Sequence, residues 1–142
     1  MKWMFLPFFR ITDYSGRSNR REYWLFQLLK VVFGLALAVG LGLTGAVASA
    51  PLLSSGIVTA LLGNVVALVV FVIFLLCFLP AEIALTVRRW HDIGNSGWTI
   101  VVLLVCGMIP IVGFLAGIVH FAAMCWPGDK NINKYGPPPT AA

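Results

Sequence analysis

"VVFGLALAVGLGLTGAVASAPLLSSGIVTALLGNVVALVVFVIFLLCFLPA" (residues 31–81) runs for 51 residues between Lys30 and Glu82 without one charged side chain. Apolar runs beyond about 18 residues are read as membrane spans. This one is too long for a single crossing. Within it, "TGAVASAPLLSSG" (44–56) concentrates Gly, Ser and Pro, the residues that interrupt helices, so two helical spans are expected, 23–46 and 57–85. The same break imitates a signal-peptidase site, with small residues at Ala48 and Ala50. Signal peptides are only about 15–30 residues long, so cleavage there is not expected.

Composition points the same way. Hydrophobic residues make up 60% of the chain and charged residues 11%, with a mean hydropathy of +0.94. Soluble domains carry about a quarter charged residues. The class is therefore an integral membrane protein, and 142 residues leave room for one helical bundle, residues 1–142, without a separate soluble domain.

A second long run, residues 93–128, contains no Asp, Glu, Lys or Arg. From Trp98 to Trp126 a continuous helix would be about 43 Å long, against a hydrocarbon core of about 30 Å. At its centre "GMIPIVG" (107–113) sets a proline between glycines. It is either one kinked span or a hairpin of two short helices, 98–109 and 111–126, and the hairpin is the expected form. Non-helical backbone at membrane depth is tolerated only under a cover of protein or water. The expected fold is an all-α polytopic bundle of four helices, with a cytoplasmic N-terminal segment 1–22 and a tail 127–142.

Orientation follows from the cations. Lys2, Arg10, Arg17, Arg20, Arg21 and Lys30 precede or enter the first span, Arg88 and Arg89 follow the second, and the loop between the spans is uncharged. The positive-inside rule then puts the N-terminus and the 88–92 loop in the cytoplasm. The pI near 9.5 reads as topology and attraction to anionic lipid rather than nucleic-acid binding.

Catalysis finds little support. Cys77, Cys106 and Cys125 lie in apolar segments without CxxC spacing and are expected to pack as small hydrophobes. His91 and His120 stand apart. Neither a catalytic triad nor a phosphate loop is present, so no metal, cofactor or enzymatic activity is expected.

Three polar clusters remain. In "GRSNRREYW" (16–24), Asn19 and Glu22 have capping-box spacing, whereas Arg17, Arg20 and Arg21 sit where the helix dipole is positive and need another reason. Tyr23 and Trp24 suit the headgroup level. In "RRWHDIGNSGW" (88–98), Arg88, Arg89 and His91 suit a helix C-terminus, Gly94 its left-handed cap, and Asn95 or Ser96 the start of the next helix. Asp92 is left over, as is Glu82, a carboxylate that is costly at membrane depth unless paired. The third cluster is the turn-rich "WPGDKNINKYGPPP" (126–139).

These motifs together, "GRSNRREYW", "RRWHDIGNSGW", "IPIVG" and "PGDKNINKYGP", resemble the domain-of-unknown-function 805 family of small bacterial inner-membrane proteins over residues 10–139. Asn133, Tyr135, Gly136 and Pro137 match its pattern. Asp129, Lys130 and Asn131 depart from a more Gly- and Pro-rich link, and Pro138 stands where an acidic residue is common. The resemblance implies a membrane fold and a bacterial inner-membrane location, and it implies no activity.

Helix packing adds a stripe of small residues, Gly34, Ala38, Gly42 and Ala46, with Gly113 and Gly117 repeating the spacing. Such faces allow close helix approach, within the chain or in a homo-oligomer. The favoured function is a non-enzymatic membrane module. Arg17, Arg20, Arg21, Arg88 and Arg89 are expected to meet Glu22, Glu82 and Asp92 in a structural charge network, and the surplus positive charge, with His91 and Tyr135, would form a basic cytoplasmic rim that binds anionic lipid or a partner protein. The alternative is a small transporter or channel with Glu82, Asn64 and His120 along a polar path.

Overall fold

A computed structural model describes the backbone of residues 2–48 and 56–139, and the side chains of residues 3–42 and 62–139. The expected break at 44–56 falls largely on residues outside the described set, as do the last three residues of the tail.

Five helices make up the described residues: α1 (Lys2–Phe9), α2 (Arg20–Ala48), α3 (Gly56–Asp92), α4 (Thr99–Gly107) and α5 (Pro110–Cys125). Among those residues no strand forms, and one isolated bridge joins Asn133 and Gly136. Helix α1 falls in a stretch read from sequence as a plain N-terminal segment. Helices α2 and α3 are each long and apolar enough to cross a membrane, over Arg20–Gly42 and Leu62–Asp92. At 37 residues, α3 is about 55 Å long, so its last charged turns can extend beyond a hydrocarbon core. It continues seven residues past the expected end at 85, because Arg88, Arg89, His91 and Asp92 all find partners in the helical form.

Local sequence explains the ends. The Asn19 side chain accepts the Glu22 N–H at 2.7 Å, the capping half of the expected box, while the Glu22 carboxylate turns to Arg88 instead of back to Asn19. At the end of α3, Gly94 adopts φ +78°, a left-handed conformation suited to glycine. The Gly94 N–H reaches His91 O at 3.1 Å and the Asn95 N–H reaches Trp90 O at 2.9 Å, so two terminal carbonyls are satisfied. Neither Asn95 nor Ser96 caps α4 as expected: its N-cap is Trp98, without a side-chain cap bond, and Ser96 Oγ accepts the Trp98 N–H.

The proline at 110 separates α4 from α5. The residue before a proline is pushed out of the helical region, and Ile109 is extended, with φ −105° and ψ 116°, leaving Pro110 to start α5. Past the turn a Cβ at Gly113 would lie 3.0 Å from the Gly107 Cα, so backbone meets backbone there.

The chain divides into two compact units, residues 1–27 with 80–142, and residues 28–79. The second consists of the apolar parts of α2 and α3. Phe74 stacks on Phe78 at 4.6 Å and Phe33 lies 5.9 Å from Phe78. Most of its side chains face outward, Leu76 at 70% exposure among them. Such a continuous apolar surface is stable against lipid tails and not against water.

The first unit holds nearly all the charge and reverses the usual order of burial. Arg17, Arg88, Arg89, Glu22, His91 and Asp92 are buried there, whereas Phe114, Ile111 and Leu104 are exposed.

Candidate functional site

Asp92, the last residue of α3, is the meeting point of the first unit. Arg17 reaches its Oδ1 through Nε at 3.0 Å and through Nη2 at 2.9 Å. Arg89, one helical turn earlier, donates to Oδ2 at 2.5 Å. The Asp92 backbone carbonyl accepts the Asp129 N–H at 2.8 Å. A buried carboxylate is costly unless paired and fully hydrogen-bonded, and two guanidiniums meet that need here.

The remaining Arg17 donors tie in the C-terminal segment. Nη1 donates to the carbonyls of Asn131 at 2.9 Å and Gly136 at 3.2 Å, and Nη2 donates to that of Asp129. Arg89 Nη2 donates to the carbonyls of Met124 and Trp126, where α5 ends. Asn133 and Gly136 close a tight turn by exchanging backbone bonds, with Gly136 at φ +112°. The Asn133 amide reaches His91 O at 3.0 Å, and the Tyr135 ring lies flat on His91 at 3.7 Å and 5°.

Arg88 works on the N-terminal side. It is fully buried and donates to Ser18 Oγ at 2.9 Å, to the carbonyls of Arg10 at 2.6 Å and Asp13 at 2.8 Å, and to Glu22 Oε1 at 3.5 Å. The planar five-donor fork of arginine suits such a task, whereas a lysine ammonium would reach fewer of these acceptors. At the edge, Arg10 pairs with Asp13 at 2.6 Å. Arg10 holds the Asp13 carboxyl below its ordinary range, at about 2.

A less charged polar group lies on α2, α3 and α5 of the same unit. The Tyr23 hydroxyl meets His120 Nε2 at 3.3 Å. Gln27, one turn along α2, donates to Glu82 Oε1 at 2.6 Å. The Trp90 ring lies 5.9 Å from that of His120.

Several expectations change against this geometry. Arg17, Arg88 and Arg89, expected to pair with carboxylates and to contribute to a basic rim, are buried and turned to Asp92, Glu22 and internal carbonyls, because a guanidinium taken out of water needs its donors satisfied. Arg20 and Arg21 are the exposed members of that set. His91 and Tyr135 stack on each other. Glu22 pairs with Arg88, and Asp92 with Arg17 and Arg89, while the hydrogen bond described for Glu82 comes from Gln27.

Tyr23 is buried and Trp24 is partly exposed. Cys77 and Cys125 are exposed, not packed inside. The small-residue stripe touches Phe74 at Gly34, 3.9 Å away, but meets nothing within 4 Å at Gly42 or Gly117. Ala38 is exposed, and the Ala46 side chain lies outside the described set. Of the residues named for a polar path, Glu82 and His120 belong to the first unit and Asn64 to the second.

Sequence reasoning missed Arg10, Asp13, Ser18 and Asn131, which supply a pair, a hydroxyl and carbonyls. A family described as "Protein of unknown function (DUF805)" matches residues 11–137. The chain is 28% identical over 140 residues to inner membrane protein YhaI of Escherichia coli K12, covering 98% of this chain and 96% of that protein. It is 30% identical over 139 residues to inner membrane protein YhaH of the same strain, covering 98% and 97%. No solved structure matches it. With two apolar helices of spanning length and these relatives, the chain is a membrane protein belonging to the DUF805 family.

Proposed function

We propose that this protein is a non-enzymatic, multi-pass inner-membrane module whose polar head holds anionic lipid headgroups at the cytoplasmic surface. In this reading the N-terminus is cytoplasmic and α4 and α5 form a hairpin that returns to the side it left. The bonds from Arg89 to the carbonyls at the end of α5 support the return, since Arg89 also precedes the turn into α4. The carrying observation is that the buried guanidiniums are engaged internally. The head is therefore a rigid platform, and the cations it exposes, Arg20, Arg21, Lys130 and Lys134, are those able to meet phosphate. Each such cation near an anionic surface contributes about 1 kcal/mol.

Native mass spectrometry of the protein extracted with its own lipids tests this. Phosphatidylglycerol or cardiolipin should stay bound to the parent and be largely lost from the Arg20→Gln/Lys130→Gln/Lys134→Gln variant. Equal retention in both would refute the lipid role, and a retained protein mass in place of lipid would favour a partner or a homo-oligomer. For topology, a periplasm-only reporter fused after Ala142 should be inactive, and activity would replace the hairpin with a third crossing.

A further inference from the structure

Helix α1 turns only part of its surface to the protein. Its Pro7 is fully buried and Phe8 meets Phe26 of α2 edge to face at 5.3 Å, while Arg88 holds the chain that follows by donating to the Arg10 carbonyl. Phe5 and Phe9, four residues apart and so on one helix face, are 49% and 84% exposed. Two large rings left in water forfeit about 1.5–3 kcal/mol each, so this face calls for an apolar neighbour.

The level at which α1 sits identifies that neighbour. The charge-free run ends at Glu82, so the hydrocarbon edge lies near that residue on α3. Gln27 donates to Glu82 Oε1 at 2.6 Å, which brings α2 at Gln27 to the same edge. Phe26 is the adjacent residue, and α1 packs on it through Phe8. Helix α1 therefore lies where headgroups give way to acyl chains, and lipid is the medium that surrounds the chain at that level. Its sequence suits the boundary: residues 2–9 include no Asp or Glu, and the one charge, Lys2, stands at an end. A deeper position is excluded by the charged pair of Arg10 and Asp13 just beyond the helix, which is costly inside hydrocarbon.

We propose that α1 is a surface anchor lying along the bilayer, with Phe5 and Phe9 seated among lipid acyl chains just below the headgroups. Such a segment buries its apolar face about 5–10 Å into the headgroup and acyl boundary. Pro7 and Phe8 join it to the bundle, so it sets the height of the polar head against the membrane. The contact uses apolar surface alone. It is independent of the anionic-lipid reading and holds for either orientation of the chain.

Site-directed fluorescence on the full chain tests it. A background of Cys77→Ser, Cys106→Ser and Cys125→Ser takes one added cysteine, by Phe9→Cys or Phe5→Cys, and a bimane label, and is reconstituted in phosphatidylcholine vesicles with iodide on both faces. Both rings are exposed, so the thermal midpoint should stay near that of the parent. At each position the emission should be blue-shifted, strongly quenched by phosphatidylcholine brominated near the top of the acyl chain, and little quenched by iodide. Quenching by iodide and not by the brominated lipid would overturn the proposal, because the face would then meet water. Shielding from both quenchers would also overturn it, since protein would then cover the face. Lipid quenching at only one position would do so as well, because a helix lying along the surface carries both to one depth. Should either substitution fail to fold, the other label still decides between lipid, water and protein.

Discussion

Replacing Arg88 by methionine separates a structural role from a ligand-binding one. Methionine keeps most of the apolar stem and helix propensity, and removes every guanidinium bond. The loss leaves Glu22, which is 1% exposed, without its cationic partner, and leaves Ser18 Oγ and the carbonyls of Arg10 and Asp13 without this donor. Breaking one side of a buried pair costs about 3–5 kcal/mol. For a chain of this size that corresponds to a fall of roughly 10–15 °C in thermal midpoint.

The double variant Arg88→Met/Glu22→Gln removes the stranded charge as well. Pairs removed together are often close to neutral, so about half of the loss should return, the remainder reflecting the loop acceptors. Midpoints measured in the same detergent for parent, both singles and the double complete the cycle. A single variant melting within about 2 °C of the parent, or a double no better than Arg88→Met, would refute the reasoning.

Other perturbations probe the same head. Gly94→Ala forces a Cβ at φ +78° and sets it 3.1 Å from Asp129 Oδ2, so a loss of about 1–2 kcal/mol is expected by chemical denaturation. Gly128→Ala places a Cβ on the Asp92 carboxylate, which two arginines hold in place. Overpacking of about 1–3 kcal/mol should follow, with faster proteolysis of the 127–139 segment as the readout. Asp13, whose pKa falls from 3.8 to about 2 beside Arg10, stabilises the folded form at pH above about 4. That contribution is lost as the pH falls toward 2, so the midpoint difference between parent and Asp13→Asn should narrow over that window. Tyr135→Ala removes the stack on His91 and should cost about 0.5–1.5 kcal/mol, again seen as tail proteolysis.

The elements legible in the sequence were those set by local chemistry. Pro110 marks a helix break wherever it falls and Asn19 offers a side-chain acceptor to free N–H groups, so the starts of α5 and α2 could be read within a few residues, while α3 runs seven residues past its expected end at 85 to the left-handed cap at Gly94. Long charge-free runs marked α2 and α3 for the same reason. What was not legible is which backbone carbonyls take the remaining arginine donors. Every residue carries a carbonyl, so nothing in the letters at Arg10, Asp13, Met124, Trp126 or Asn131 distinguishes the ones that accept. Helix α1 escaped as well: Pro7 lies inside it, and eight residues give too short a period to read.

Arg17 finds carbonyl partners at Asn131 and Gly136, 114 and 119 positions later in the chain. At about 5–20 residues per second, a ribosome needs roughly 6–24 s to reach Gly136 after making Arg17. Through that interval these acceptors do not yet exist, although Asp92, 75 positions after Arg17, is already made and can pair with the guanidinium. Once the last residues emerge, the remaining donors of the same side chain find their carbonyls. One side chain thus joins segments made far apart in time, first α3 and then the chain's last residues, and a ribosome stalled before residue 129 would hold a chain whose end is not yet fastened to its beginning.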